Sequence, residues 1–399
     1  MKILSINALN YGSTGKIVDG IANVCFDQIY YIAYPDQFPN NGKNSNEIVI
    51  GKKFFRLVGR RICMFTGFSD CMSVIATAIF LRKVSKINPD IIHLHNLHSS
   101  YINIPMLFRY IKKTKTRVVW TLHDCWSFTG QCPHFVMAQC DKWKTGCHDC
   151  PQYKLYPRSY VDNTKTMYRL KRKCFTGIKN MTIVTPSQWL GDLVKQSYLK
   201  DYPVRVINNG IDLSIFKPSE SNFREAHNLL NKHVVLGIAA GWGSRRKGLD
   251  VFIELEKRLG DEYKIILVGT DDFLDKQLPI SIISIHKTRD QHELAEIYTC
   301  ADVLANPTRE EVFGLVNIEA LACGAPVITF RTGGSPETID GTCGSVVDCD
   351  DVDAMEEEII RVCTEKPYSK HNCIERAKKF DMNNKFKEYR SLYNELFNC

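Results

Sequence analysis

The sequence predicts an α/β protein built as two doubly wound, Rossmann-like domains, and three observations carry that expectation. Short apolar runs bounded by turn residues alternate with segments of helical periodicity, the pattern of a parallel sheet covered by helices on both faces. The 399 residues exceed what one core usually organises and suit two. Glycine-rich turns follow predicted strands in each half, at Gly12 to Gly15 and at Gly241 to Gly248, where such sheets bring backbone close to ligands.

Composition narrows the class. With 44% hydrophobic and 24% charged residues the chain reads as an ordinary soluble globular enzyme. No apolar run is long enough to span a bilayer; the longest, residues 74–81, is short. Residues 1–7 are too brief for a signal-peptide core and read as a first strand. The expected location is the cytoplasm, with the inner face of the cell membrane as its peripheral variant. Of the 16 cysteines, twelve are scattered singly, as buried apolar thiols would be, and without an export signal a disulfide framework is not expected.

The net charge of +8 is compatible with nucleic acid, an anionic membrane surface or a phosphorylated substrate. It is gathered in three groups, all in the first half. Lys52, Lys53, Arg56, Arg60 and Arg61 alternate with Phe54, Phe55, Leu57 and Val58. Lys112, Lys113, Lys115 and Arg117 form the second group; Arg169, Lys171, Arg172 and Lys173 form the third. Each group reads either as a solvated helix face or as a surface for anionic lipid. No nucleic-acid motif accompanies them, so nucleic acid is not an expected partner.

In chain order, residues 2–7 read as a strand, followed by Tyr11-Gly12-Ser13-Thr14-Gly15-Lys16 and a helical pattern over 17–24. The turn lacks the spacing of a Walker A loop and is not GxGxxG, so Gly12 and Gly15 serve either phosphate approach or backbone geometry. Residues 29–34 and 47–50 read as strands and 72–84 as a helix. Residues 89–96 form a strand on which His93 and His95 share one face, for hydrogen bonding or for metal. The strand over 117–124 carries His123 at its carboxyl end, where open α/β sheets bind ligands.

Next comes a loop, residues 129–151, with Cys132, Cys140, Cys147 and Cys150. Its last pair has the knuckle spacing of a structural zinc site. Reduced thiols or disulfides are the alternatives, and His134 or His148 could replace a thiolate. Residues 163–178 read as a basic helix, 181–185 as a strand, and Ser187 as the cap of another helix.

The domain boundary is expected near Tyr202-Pro203, giving domains at 1–202 and 203–380 and a last helix over 381–399. Strands are expected at 204–207, 233–239, 263–268, 281–285, 302–306 and 327–330. The loop Gly241-Trp242-Gly243-Ser244-Arg245-Arg246-Lys247-Gly248 opens a helix, and adjacent cations near a helix start suit a diphosphate. A solvated turn is the other reading. In the stretch 309–326, Glu311 lies on a loop and Glu319 about two turns into a helix. Phe313-Gly314-Leu315 lies at the helix entrance, where orphan N–H groups can hold an anion. Gly324 can end that helix, and Pro326 cannot continue it.

That stretch resembles the Glu-seven-residues-Glu motif of the large retaining glycosyltransferase family, glycosyltransferase family 4-like, that includes many bacterial polysaccharide and phosphatidylinositol mannosyl transferases. The likeness runs through Phe313-Gly314, Glu319, Ala320-x-Ala322-x-Gly324 and Pro326-Val327. It extends to Asn209-Gly210-Ile211-Asp212, Phe216-x-Pro218 and Lys247-Gly248. It implies two facing domains, the GT-B arrangement, with a C-terminal helix crossing back to the first. The implied activity moves a sugar from a UDP- or GDP-sugar to a glycan or lipid-linked acceptor, with retention and without a catalytic metal, in surface polysaccharide biosynthesis.

The resemblance also assigns residues. Lys247 and Arg245 or Arg246 hold the leaving diphosphate, since the family's upstream arginine would fall near Gly241, where none exists. Glu319 binds the ribose, Glu311 and the 313–315 backbone the donor sugar, and the segment containing His286 the base. His123 faces the reacting sugar, with Asp124 as its orienter, and Gly12 and Gly15 lie beside donor and acceptor. A GT-B epimerase, a phosphorylase and a zinc-bearing nucleic-acid-binding protein are the alternatives.

Overall fold

The structure, a computed structural model, describes residues 1–36 and 46–398. They divide into two compact units, Met1–Asn208 with Phe386–Cys399, and Asn209–Lys385. Among the described residues no helix is long and apolar enough to cross a membrane.

The first unit is built on β1 (Lys2–Ile6), β2 (Ile29–Pro35), β3 (Glu47–Ile50), β4 (Ile91–Leu94), β5 (Arg117–Thr121), β6 (Met181–Thr185) and β7 (Val204–Val206). Their order is β3-β2-β1-β4-β5-β6-β7, parallel throughout. Apolar runs without polar alternation, such as Val118, Val119 and Trp120, fit strands buried on both faces. The segment over 204–206 was expected to open the second domain. Instead Val204 pairs with Ile183 and closes the first sheet, so the units part at 208 rather than 202.

The second unit holds β8 (His233–Ile238), β9 (Tyr263–Val268), β10 (Ile283–Ile285), β11 (Val303–Asn306), β12 (Val327–Phe330) and β13 (Gly344–Val347). Their order is β10-β9-β8-β11-β12-β13, again all parallel. The two-residue period divides its core: Val234, Leu236 and Ile266 pack on one face, Val235, Ile265 and Leu267 on the other. Each sheet has a point where the order reverses, between β1 and β4 and between β8 and β11. Open α/β sheets bind ligands outside the strand ends at such a point.

Helix Met382–Asn398 starts in the second unit and from Phe386 packs on the first. Its buried residues Phe386, Tyr389, Leu392 and Tyr393 recur at three- and four-residue spacing, one face of a helix. Tyr393 Oη lies 2.6 Å from His93 Nδ1, and Thr121 Oγ1 donates to Tyr389 Oη at 3.3 Å. Arg390 pairs with Asp27 at 2.7 Å. The Phe386 ring occupies the space that a side chain at Gly20 would take: a Cβ there would lie 2.0 Å from the ring. Gly20→Ala is therefore expected to lose about 1–3 kcal/mol by overpacking, read as a lower denaturant midpoint. An unchanged midpoint would show that the ring yields freely.

Candidate functional site

The second sheet's reversal point brings two loops together, and a glycine permits it. Gly248 has φ +76°, and a Cβ on it would lie 2.3 Å from Pro307 O. The loop after β8 thus lies flat against the loop after β11. Arg309 N–H donates to Arg246 O at 2.8 Å across this contact. The Arg309 side chain, 5% exposed, fastens it. Its Nη1 and Nη2 donate to the two oxygens of Asp250 at 2.8 and 2.9 Å, its Nε to Asp350 at 2.6 Å, and Nη1 also to Arg245 O at 2.7 Å. Burial pushes the Asp250 carboxyl up, but the bidentate Arg309 outweighs it and the net shift is downward.

This staple places Lys247 against Glu311. Lys247 Nζ donates to Glu311 Oε2 at 2.9 Å, with both side chains about a fifth exposed, at 22% and 23%. Burial raises the Glu311 carboxyl, but the Lys247 ammonium more than offsets it, with help from the Arg246 charge and the Val312 N–H, which donates at 3.1 Å. Glu311 is therefore held ionised. Arg246 is half-buried, whereas the Arg245 side chain is 75% exposed and leans on Asp250 at 3.9 Å.

Beside this pair begins helix Leu315–Ala322. Gly314 caps it at φ +94° with no side-chain cap; Asn317 N–H donates to Gly314 O at 3.1 Å, and the Leu315 and Val316 N–H groups have no carbonyl of the helix behind them. Phe313 is buried in the core, its ring 5.7 Å from that of Phe380, so it can offer a ligand only its backbone. Glu319 is half-buried and accepts from Tyr298 Oη at 2.8 Å. His286 stands elsewhere, at the end of edge strand β10. Its ring is exposed and lies 2.7 Å from Asp275, and the hydrogen bond it donates to that carboxylate raises its pKa.

Two supports hold the acidic loop; the first lies in the turn 332–337, whose likeness to a family turn was legible without its role, and the second was not read from the sequence. Gly333, at φ +56°, sits where a Cβ would lie 1.7 Å from Glu311 O, and Gly334 N–H donates to that same oxygen at 3.0 Å. A buried polar network fixes the helix entrance from below. Asn306 Nδ2 donates to Asn317 Oδ1 at 2.7 Å, and Asn317 Nδ2 donates to Ser335 and Thr338 at 3.0 and 2.9 Å. Polar Asn317 inside the apolar helix was the available signal: a buried amide has to find partners.

In the first unit, the predicted histidines form a row. His93 lies 2.8 Å from Thr121 Oγ1, and its ring is 4.0 Å from that of His95. His95 Nδ1 lies 3.1 Å from His123 Nε2, with the rings stacked at 12°. His95 Nε2 is buried and has no hydrogen-bond partner among the described residues. Burial lowers the pKa of all three, His93 to about 3 and His123 to about 4. The orienter of His123 is therefore His95. Asp124, expected in that role, turns to His98 Nε2 at 3.0 Å and to the Trp126 N–H at 2.8 Å. Burial pulls His98 down, but the Asp124 carboxylate outweighs it and raises the imidazole.

Gly12 supplies a left-handed turn at φ +69°, and Gly15 lets the first helix meet Asn10, whose carbonyl carbon would lie 2.7 Å from a Cβ. Buried Asn7 joins the reversal-point loops, accepting from Asn96 N–H at 3.3 Å and donating to Leu9 O at 2.7 Å.

In the cysteine loop, Cys147 Sγ accepts from Gly130 N–H at 3.1 Å. The Cys150 thiol is drawn down to about 7, chiefly by a hydrogen bond from Cys132, whose own pKa rises. Among the described residues, the ligating groups gathered in threes within 4.8 Å are Asp272, Asp275 and His286, all exposed; Cys132, Cys140, Cys147 and Cys150 are not gathered to that degree. Lys171 does not belong to a solvated basic face. It is fully buried, its Nζ 3.7 Å from the centre of the Trp126 ring, and burial lowers its pKa to about 7.

Comparison with known proteins settles the family. Residues 221–380 match the family described as Glycosyl transferases group 1, and residues 39–215 match Glycosyltransferase Family 4. The chain belongs to the family 4-like, group 1 glycosyltransferases. Among its relatives is the putative colanic acid biosynthesis glycosyl transferase WcaC of Escherichia coli K12, 27% identical over 365 residues, covering 89% of this chain and 83% of that protein. Solved structures share the GT-B fold. Sucrose-phosphate synthase from Thermosynechococcus elongatus aligns at TM-score 0.71 with 18% identity, over 100% of this chain and 99% of the other. Anabaena HepE in complex with UDP aligns at 0.68 with 16% identity, over 99% of this chain and 100% of the other. This glycosyltransferase thus carries the fold and the motif expected of its family.

The histidine row gives a pH signature. An unfolded histidine binds a proton near pH 6.5, whereas buried His93 stays neutral until about pH 3. Stability is therefore lost as pH falls below about 6.5, by about 1.4 kcal/mol per pH unit for a fully buried group. His98, with a raised pKa, acts in the opposite sense: its contribution is full at low pH and is lost as pH rises. The urea midpoint should drop between about pH 7 and pH 5, and His93→Gln should shrink the drop. A midpoint that rises on acidification would contradict this accounting.

Proposed function

We propose that this glycosyltransferase moves a sugar, with retention of configuration, from a UDP- or GDP-sugar to a glycan or lipid-linked acceptor in surface polysaccharide assembly. The observation carrying the donor assignment is the Lys247–Glu311 pair beside the uncapped start of helix Leu315–Ala322. A diphosphate entering there meets an ammonium, the half-buried Arg246 and main-chain N–H groups, all fixed before it arrives. Fixed donors aimed at developing charge are the usual main source of rate enhancement. They supply the charge that a divalent ion would otherwise bring, so the reading includes no catalytic metal. The colanic acid relative supports a polysaccharide setting.

Within this reading Lys247 and Arg246 hold the leaving diphosphate. Arg245 is the weaker partner because Asp250 already engages it. Glu319, braced by Tyr298, takes the ribose hydroxyls, and Glu311 takes the donor sugar. His123, set by His95, is the first unit's contribution to the reaction. Gly12 and Gly15 shape the turn beside it, and the exposed His286 segment is assigned to the base. A structural zinc at Cys132, Cys140, Cys147 and Cys150 is a separate part of the proposal and requires those side chains to turn toward one centre. Metal analysis should then find one zinc per chain, and none would remove it.

Lys247→Met should cut kcat by about 10²–10³-fold, the usual cost of one such donor. Glu311→Ala should chiefly lower turnover, and Glu319→Ala should chiefly weaken nucleotide binding, by about tenfold or more. Because Glu319→Ala also strands the Tyr298 hydroxyl, Glu319→Gln serves as its folding control. The assays are steady-state turnover and nucleotide titration, and product NMR reads the anomeric configuration. Negligible effects from all three substitutions, or an inverted product, would refute the corresponding assignment.

A further inference from the structure

Helix Lys53–Thr66, which the sequence offers as a solvated face or as a surface for anionic lipid, has two working faces. On one, Phe55, Val58 and Ile62 follow one another by three and four residues and line a groove of about 410 Å³. The opposite wall is helix Val74–Ile87, which contributes Ile75 and Ile79. The floor is open because Gly59 has no side chain: a Cβ there would stand 3.7 Å from the Met72 Cβ. These apolar walls face solvent among the described residues, with Phe55 63%, Ile75 74% and Ile79 52% exposed. A solvated helix face would turn polar groups outward here.

On the other face, Arg56 and Arg60 line a second recess of about 190 Å³ with Arg158, Ser99 and Ser100. Arg56 borders both spaces. The recess also reaches Leu9, in the loop after β1 at the first sheet's reversal point. Among the described residues, none of the three arginines is ion-paired. The acid in the recess, Asp70, is buried and accepts the Ser100 N–H at 2.6 Å. An apolar groove therefore adjoins a recess that holds three arginines and one buried acid, with Arg56 on the border of both.

We infer that this pair of spaces binds the acceptor as a long-chain lipid diphosphate, with hydrocarbon in the groove and the diphosphate on Arg56, Arg60 and Arg158. The inference rests on the transferase reading and names its acceptor class. A bilayer surface is the poorer fit. A helix lying on a membrane presents charge and apolar groups along one convex stripe, whereas here the apolar space is concave, Lys52 and Arg56 stand at its border, and Arg60 and Arg158 open into the neighbouring recess instead.

The test is binding of farnesyl diphosphate, farnesol and inorganic diphosphate to the full chain, without vesicles, by calorimetry. Farnesyl diphosphate should bind at least tenfold tighter than either fragment. Gly59→Leu should reduce it to the affinity of inorganic diphosphate, and the double substitution Arg56→Gln, Arg60→Gln to that of farnesol. Lys247→Met should leave it unchanged, which separates this site from the donor site. Farnesyl diphosphate binding no tighter than inorganic diphosphate, or insensitive to Gly59→Leu, would overturn the inference. So would equal sedimentation of wild type and Gly59→Leu with phosphatidylglycerol vesicles as the sole binding. UDP- or GDP-sugar binding is read on the same samples, and its loss in wild type would count against the transferase reading and not against this site.

Discussion

The contact between the loop after β8 and the loop after β11 sets the geometry of the second unit's strand-end loops. It exists because Gly248 lies where any side chain would strike Pro307 O, and because Arg309 ties Asp250, Asp350 and the Arg245 carbonyl into one corner. Without that approach Lys247 would have no fixed position relative to Glu311. The ion pair itself is weak evidence for stability, since taking two charges from water offsets much of their attraction. Its consequence is placement: a cation and an anion are held at one strand-end crevice before any ligand arrives.

The same logic recurs around the site. Gly333 presses against Glu311 O, Gly314 opens the helix in a left-handed conformation, and Asn317 anchors the first turn through Ser335 and Thr338. Charged groups at the surface of this crevice stand on buried, fully partnered polar groups beneath it. In the first unit, His123 rests on His95, and His95 on His93, which in turn meets Tyr393 of the last helix. The C-terminal helix thus reaches the histidine row by direct contact.

Much of this was legible in the sequence, for physical reasons. Parallel strands buried on both faces leave uninterrupted apolar runs, so the sheets could be read. Lys247, Glu311 and Glu319 stood out by chemistry and spacing, and the structure brings Lys247 against Glu311 beside the helix that carries Glu319. Contacts made across long stretches of chain left less trace. Nothing local to Arg309 announces Asp250 or Asp350, and Asp124 sits next to His123 in sequence yet turns to His98. The strand at 204–206 is too short to show which sheet it joins, so the boundary was placed early. Lys171 looked like surface charge because its neighbours are basic; only packing shows it buried over Trp126.

The most direct measurement is a crystal structure of the protein soaked with a nucleoside diphosphate. The account predicts diphosphate oxygens within hydrogen-bond distance of Lys247 Nζ and of the main-chain N–H groups at Gly314 and Leu315, with the ribose at Glu319. Diphosphate bound elsewhere, with the Lys247–Glu311 pair undisturbed and no ribose at Glu319, would contradict it.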